Sequence, residues 1–188
     1  STAVTVNGWL LQTATSPTLA SSINTSDSST FNLGVSISGN MVAVASYNNG
    51  QVRLYRINPD DSLTYLTNIA FSAPNAVKLL GDRLYVSTEL GAFYIYDVSD
   101  INNPVSLGSI TGTGNGGKWF DIVGSYIYLT KDWSSDEFEI YDISNPANIQ
   151  NVGGYATGTM DFRHMKVSGK YAYTASYSNS NWHKGLMK

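Results

Sequence analysis

The chain has 188 residues, enough for one domain with a sizeable core or for several units of a repeat array, and too few for two independent enzymes. Only 13% of residues are charged, and a net charge of -3 with 11 Lys and Arg offers no clustered basic surface for nucleic acid. With no cysteine, disulfides, thiolate zinc sites and Cys nucleophiles are all excluded, so packing and backbone pairing must hold the fold.

No stretch reaches the roughly 18 to 20 apolar residues that span a bilayer, so membrane insertion is not expected. The opening Ser1-Thr2-Ala3 fits either a processed mature end or loss of an initiator Met before Ser, and both stay open. Residues 3 to 13 are expected to form one or two short strands broken at Asn7-Gly8, a strong turn dipeptide. Residues 14 to 30, rich in Ser and Thr with Pro17 and Asn24, predict a long loop or tether.

From Leu33 onward the chain repeats itself. Gly39, Gly81, Gly124 and Gly169 each precede a β-rich segment, at separations of 42, 43 and 45 residues, the length of a four-stranded propeller blade. Three and four residues after them come Val42-Ala43, Leu84-Tyr85, Ile127-Tyr128 and Ala172-Tyr173, a pattern that predicts a strand buried on both faces. The segments before these glycines, Leu33 to Ile37, Ala76 to Leu80, Trp119 to Val123 and Phe162 to Val167, supply innermost strands.

A third strand aligns Tyr55-Arg56-Ile57-Asn58 with Tyr96-Asp97-Val98-Ser99 and Tyr141-Asp142-Ile143-Ser144. Eleven residues past Asp97 and Asp142 stand Gly108 and Gly153, which mark a fourth strand near 105 to 110 and 149 to 155, with Leu63 to Ile69 as counterpart in the first repeat. No segment has sustained helical spacing, so no helix is assigned.

This grammar, Gly-x-x-aliphatic-Tyr-aliphatic, then aromatic-x-Ile-Tyr-Asp-Val/Ile-Ser, then a Pro/Asn turn and Val/Leu-Gly, resembles the LVIVD-repeat family of β-propellers. The best matching segments are Tyr94 to Gly108 and Phe138 to Gly153, within a resemblance covering about residues 31 to 188. The first repeat departs from it, with Arg56 in place of Asp and Thr67 in place of Gly. The resemblance implies an all-β propeller, commonly on bacterial, archaeal or viral surfaces, and no shared catalytic residue.

The expected organisation is an N-terminal strand region over 1–30, then blades over 31–72, 73–113 and 114–159 and a truncated blade over 160–188. Spacing from Gly50 and Gly91 to their third-strand Tyr places the equivalent of the last repeat two residues beyond Lys188. We therefore expect about three complete blades and partial blades at both ends, as part of a larger propeller. Completion of the open edge by a neighbouring subunit is the alternative.

Asp97 and Asp142 end strands before Ser-containing turns, where a carboxylate accepts backbone N–H groups; a structural role is preferred over a metal ligand. The second-to-third-strand loops and the interblade turns share one rim, gathering Asn48-Asn49, Glu89-Leu90, Asp132 to Asp136, Asn179 to His183 and Gly112 to Gly117. Trp133 and Trp182, with Asp132, Asn181 and His183, form the candidate binding face, suited to a sugar ring or a protein partner; the alternative is that each Trp covers its own blade as a lid.

Asp132, Asp136 and Glu137 match no calcium-loop spacing, so a solvated acidic loop is expected and no metal or other cofactor. Gly112 to Gly117 precedes a strand, which makes it an interblade turn and not a phosphate loop. His164 is expected near the central channel with Asp121 or Lys166, and Arg53, Arg56, Lys78 and Lys166 to be scattered over strand faces. Two histidines without a Ser or Cys partner make no triad, so no catalytic residue is assigned.

The leading expectation is a non-enzymatic extracellular or surface scaffold making protein contacts, within a larger assembly such as a fibre, surface layer or virion. A glycan-binding adhesin using rim aromatics is second, and a propeller-hosted hydrolase or lyase third.

Overall fold

The computed structural model describes residues 5–10, 18–24, 31–111, 116–131, 137–156 and 161–177. Among them are sixteen strands and no α-helix; one 3-10 turn, Pro146–Asn148, is the exception to pure β structure. The strands form five antiparallel sheets. A hairpin pairs β1 (Thr5–Leu10) with β2 (Thr18–Asn24). Three four-stranded sheets follow in meander order: β3 (Asn32–Ser38), β4 (Met41–Ser46), β5 (Gln51–Ile57) and β6 (Leu63–Ala70); β7 (Pro74–Leu80), β8 (Arg83–Thr88), β9 (Phe93–Asp97) and β10 (Val105–Ile110); β11 (Gly117–Val123), β12 (Tyr126–Lys131), β13 (Phe138–Asp142) and β14 (Gln150–Tyr155). The last sheet pairs β15 (Asp161–Ser168) with β16 (Tyr171–Tyr177).

The alternation of side chains along each second strand builds the core. On β8, Leu84 and Val86 point to the first blade and pack with Ala43, Ala45, Val52 and Leu54, while Tyr85 points the other way to Phe120, Ile127 and Leu129 of the third. On β12, Ile127 and Leu129 face the second blade and Tyr128 packs with Phe138 and Phe162 against the fourth. Each such fully buried aliphatic or aromatic side chain stabilises the stack by about 1.5–3 kcal/mol. The pattern weakens at the last sheet, where Tyr173 is exposed.

Two expectations for the N-terminal region fail. Asn7-Gly8 makes no turn: β1 runs through both residues, paired with Ser22 and Ser21, and only a bulge at Gly8/Trp9 disturbs the register. The supposed tether contains β2. A turn dipeptide closes a hairpin only if the runs on either side can pair with each other, and those flanking Asn7-Gly8 are too short. The Ser- and Thr-rich run pairs instead, anchored by Ile23, which packs on Val42, Val44 and Tyr55 of the first blade.

The turn carboxylates behave as expected. Asp97 Oδ1 accepts from the Ser99 N–H at 2.8 Å and Asp142 Oδ1 from the Ser144 N–H at 2.8 Å. Bonds from the side chain and backbone of Ser99 hold the Asp97 carboxyl below its usual range, and bonds from the backbone and side chain of Ser144 do the same for Asp142. Lacking the Asp, the first blade closes its turn through Asn58, whose N–H donates to the Ser62 carbonyl and whose Nδ2 donates to Ser62 Oγ, both at 2.8 Å.

The Val/Leu-Gly motif of the fourth strand has a steric cause. A Cβ on Gly108 would lie 1.8 Å from the Pro146 carbonyl oxygen of the next blade, so the outer strand of the second blade can approach that turn only as glycine. The matching Gly153 has no such neighbour, its nearest contact being Ile140 Cδ1 at 3.9 Å. Gly108→Ala should therefore destabilise the protein by about 2 kcal/mol, and lower its Tm by roughly 4–8 °C, while Gly153→Ala stays within about 0.5 kcal/mol of the parent. Thermal melts of the two variants check the difference.

Candidate functional site on the propeller axis

The four innermost strands β3, β7, β11 and β15 stand side by side about one axis, and each carries a bulge at the same level. Register skips occur between Asn32 and Gly34, Pro74 and Ala76, Gly117 and Trp119, and Phe162 and His164. The four inserted residues are Leu33, Asn75, Lys118 and Arg163, each six positions before its turn glycine. A bulge re-aims the side chain it inserts. All four line one rim cavity of about 420 Å³, with Tyr47, Glu89, Trp119 and His164.

Glu89, in the loop after β8, organises this mouth. Its N–H donates to the Ala73 carbonyl at 2.9 Å and its carbonyl accepts from Gly116 at 2.7 Å, which ties the loop to both adjoining interblade turns. Its carboxylate accepts from Asn75 Nδ2 at 3.0 Å and pairs with Lys118. Trp119 and His164 occupy equivalent positions on neighbouring strands, and their rings stack at 4.1 Å with 24° between planes.

Three residues deeper along each strand lies a second ring: Ser36, Lys78, Asp121 and Lys166, each three positions before its turn glycine. These residues line an adjoining cavity of about 250 Å³ that shares Trp119 and His164 with the first. Ser36 Oγ accepts from the Leu79 N–H of the next blade at 2.9 Å, and Asp121 Oδ2 accepts in the same way from Val167 at 3.0 Å. Asp121 also holds Lys78 at 2.9 Å and Lys166 at 2.9 Å. Burial by itself would raise the Asp121 carboxyl, but hydrogen bonds from Lys78, the Val167 N–H and Lys166 outweigh it and bring the pKa down to about 2.

The expectation that the basic residues are scattered over strand faces is thus wrong for Lys78 and Lys166, which converge on one carboxylate, and Arg53 is nearly buried. Their convergence follows from their common offset to the turn glycines, a signal present in the repeat but visible only once equivalent positions are compared across blades. His164 does stand near Asp121 and Lys166. Glu137, expected in a solvated acidic loop, is 3% exposed beside a buried set in which Lys131 pairs with Glu139 at 3.1 Å and Tyr141 donates to Glu139 at 2.7 Å. Trp133, Trp182, Asp132, Asn181 and His183, and also Asp136, lie outside the described residues. Among the described residues no cluster of three or more His, Asp or Glu could hold a metal.

A depressed carboxyl pKa in the folded state contributes stability above the unfolded value of 3.8 and loses it as the pH falls toward 2. The protein should therefore weaken on acidification from pH 4 to pH 2, and Asp121→Asn, which leaves the two ammonium groups facing each other, should lose about 1–3 kcal/mol at pH 7 while flattening that acid limb. Denaturant melts across this pH range test both.

Comparison with known proteins agrees with this geometry. The LVIVD repeat model matches residues 120–157 and 161–180, which cover most of the third blade and the last sheet. No curated protein matches the sequence. Among solved structures, the designed protein Ika8 superposes with a TM-score of 0.71 at 12% identity over 97% of this chain and 51% of its own. A protein from Lactobacillus plantarum gives 0.65 at 19% identity over 84% and 56%, and BamB from Moraxella catarrhalis gives 0.63 at 18% over 85% and 47%. The chain spans about half the length of these three, and at such identities the likeness is one of fold. Repeat grammar, blade architecture and these matches coincide: the chain carries LVIVD repeats over 120–157 and 161–180 and has a β-propeller-like fold.

Proposed function

We propose that the protein is a non-enzymatic interaction scaffold, outside the cell or displayed on a cell or virion surface, whose blades join a larger assembly through protein contacts. The observation that carries this reading is an uncovered apolar face. Val35 and Ile37 on β3 are 62% and 61% exposed, beside Leu33 and Phe31. Their equivalents in the other blades are core: Val77 and Leu79 of the second, Phe120 of the third, Met165 and Val167 of the fourth.

Among the described residues, Ile23 of the N-terminal hairpin packs on Val42, Val44 and Tyr55 of the first blade, while Val35 and Ile37 of β3 stay exposed. An apolar strand face of this shape is complementary to another blade-like sheet, from a partner or a second copy. Asp121 and Glu89, the carboxylates of the axial cavities, are both held by lysine, which gives a hydrolase or lyase reading no support.

Val35→Asp combined with Ile37→Asp should leave the melting temperature within a few degrees of the parent, because both side chains are already solvated, and should abolish association in light scattering and partner pull-downs. Equal association by parent and variant would reject this face as the contact. Glycan binding by rim aromatics draws support from Tyr47 and the Trp119–His164 stack at the cavity mouth. A glycan array with no hit would reject it.

A further inference from the structure

Three times along the chain one blade covers the next by the same device. The outgoing face is built on the second strand, by the residue four positions after the turn glycine and the one two further on; the incoming face is built on the next innermost strand, by the residues four and two positions before its turn glycine. Ala43 and Ala45 thus pack with Val77 and Leu79, Tyr85 with Phe120, and Tyr128 with Met165 and Val167. The series leaves one face of each kind over. On β16 the outgoing positions are Tyr173, 40% exposed, and Ala175, also exposed. On β3 the incoming positions are the exposed Val35 and Ile37. Lys166, the cross-strand partner of Tyr173, is turned to Asp121 of the preceding blade at 2.9 Å and leaves the outgoing face to Tyr173 and Ala175.

The two short sheets are complementary halves of a blade. β15 and β16 hold the innermost and second positions, and among the described residues no third strand joins them. The N-terminal hairpin lies where outer strands belong. Ile23 of β2 packs on Val42, Val44 and Tyr55, the side of the first blade that faces a preceding one, and β2 lies against β6, the outermost strand of that blade. β2 is therefore in the outermost position and β1 in the third, and among the described residues β1 pairs only with β2. The gap between this hairpin and the axis is the space over Val35 and Ile37. The chain's own last sheet does not fill it, since both side chains stay exposed.

We propose that a second copy of this chain fills the gap: β15 and β16 of one copy seat Tyr173 and Ala175 on Val35 and Ile37 of the other, and the free edge of β16 pairs with the free edge of β1. The result is a composite blade in the order β15-β16-β1-β2, the same antiparallel meander as in the complete blades. A copy is the fitting occupant because it carries the missing inner half together with the matching need for an outer half. A head-to-tail contact made twice closes a two-fold ring. Two copies supply six complete and two composite blades, a number within the range usual for propellers. Closure covers the apolar face of β3 and pairs a strand edge on each half-blade. The proposal rests on the exposed β3 face of the scaffold reading and names what covers it.

The test is the mass of the full chain by light scattering, with amide hydrogen exchange followed in β1 and β16. The parent should run at twice the 20.4 kDa of the chain, and exchange in Thr5–Leu10 and Tyr171–Tyr177 should be about tenfold slower than in a monomeric variant. Val35→Asp with Ile37→Asp, and separately Tyr173→Asp with Ala175→Asp, should each give a folded monomer, because all four side chains are exposed within the single chain. Mixing the two variants at roughly tenfold higher concentration should restore a species of twice the chain mass, through the one junction that both leave intact. A monomeric parent overturns the second copy, while the scaffold reading then stands or falls on whether the β3 variant loses its partner in pull-downs. A dimer that survives Tyr173→Asp with Ala175→Asp, no recovery on mixing, or unchanged exchange in β1 on dimerisation would each overturn the composite blade.

Discussion

Face-to-face stacking of sheets is the constraint on which the rest of this structure depends. A second strand such as β8 sits between two neighbouring blades, so Leu84 and Val86 must fit one of them and Tyr85 the other. A sheet packed on both faces cannot shift register without moving every one of these side chains to the wrong neighbour. That requirement fixes the spacing between successive blades, and with it the level at which each innermost strand meets the axis. Hydrogen bonds from the N–H groups of Leu79 and Val167 to Ser36 and Asp121 then tie adjacent strands together at one common height.

The same constraint explains what was legible in the sequence. Strand order, blade length and the glycine at each hairpin turn follow from a period that two-sided burial forces on the chain. The glycine at 108 was visible as a marker, although its cause, the approach of Pro146 from the next blade, is a contact between distant residues that no local pattern encodes. β2 was missed because Ser- and Thr-rich strands at an edge need little apolar content; one well-placed Ile23 suffices. The axial site was missed for a related reason. Its residues are ordinary when taken one by one, and they become a site only because Lys78, Asp121 and Lys166 occupy the same offset in three successive repeats.

Packing innermost strands this closely brings side chains of equal offset into each other's company, and like charges there would repel. Asp121 resolves the conflict between Lys78 and Lys166 by accepting from both, and it also accepts the Val167 N–H of the neighbouring strand. Its carboxylate therefore does electrostatic and structural work at once. Glu89 acts similarly at the rim, where its backbone joins two interblade turns while its side chain restrains Asn75 and Lys118. In both cases an acidic group on one blade orders a lysine on a neighbouring blade, Lys118 for Glu89 and Lys78 and Lys166 for Asp121, so the lining of the axis is shared property of several repeats.

The bulges on the innermost strands separate two roles that a regular strand would merge. Because the inserted residue stands outside the inside-outside alternation, it can change chemical type without disturbing the core beneath: Leu33, Asn75, Lys118 and Arg163 are apolar, amide, ammonium and guanidinium at one structural position. Each repeat thus contributes one freely variable letter to the mouth of the axis, on a backbone held constant by everything else. Proteins built from such repeats can rewrite the chemistry of that mouth by single substitutions, one blade at a time, while the stack that carries it stays as it is.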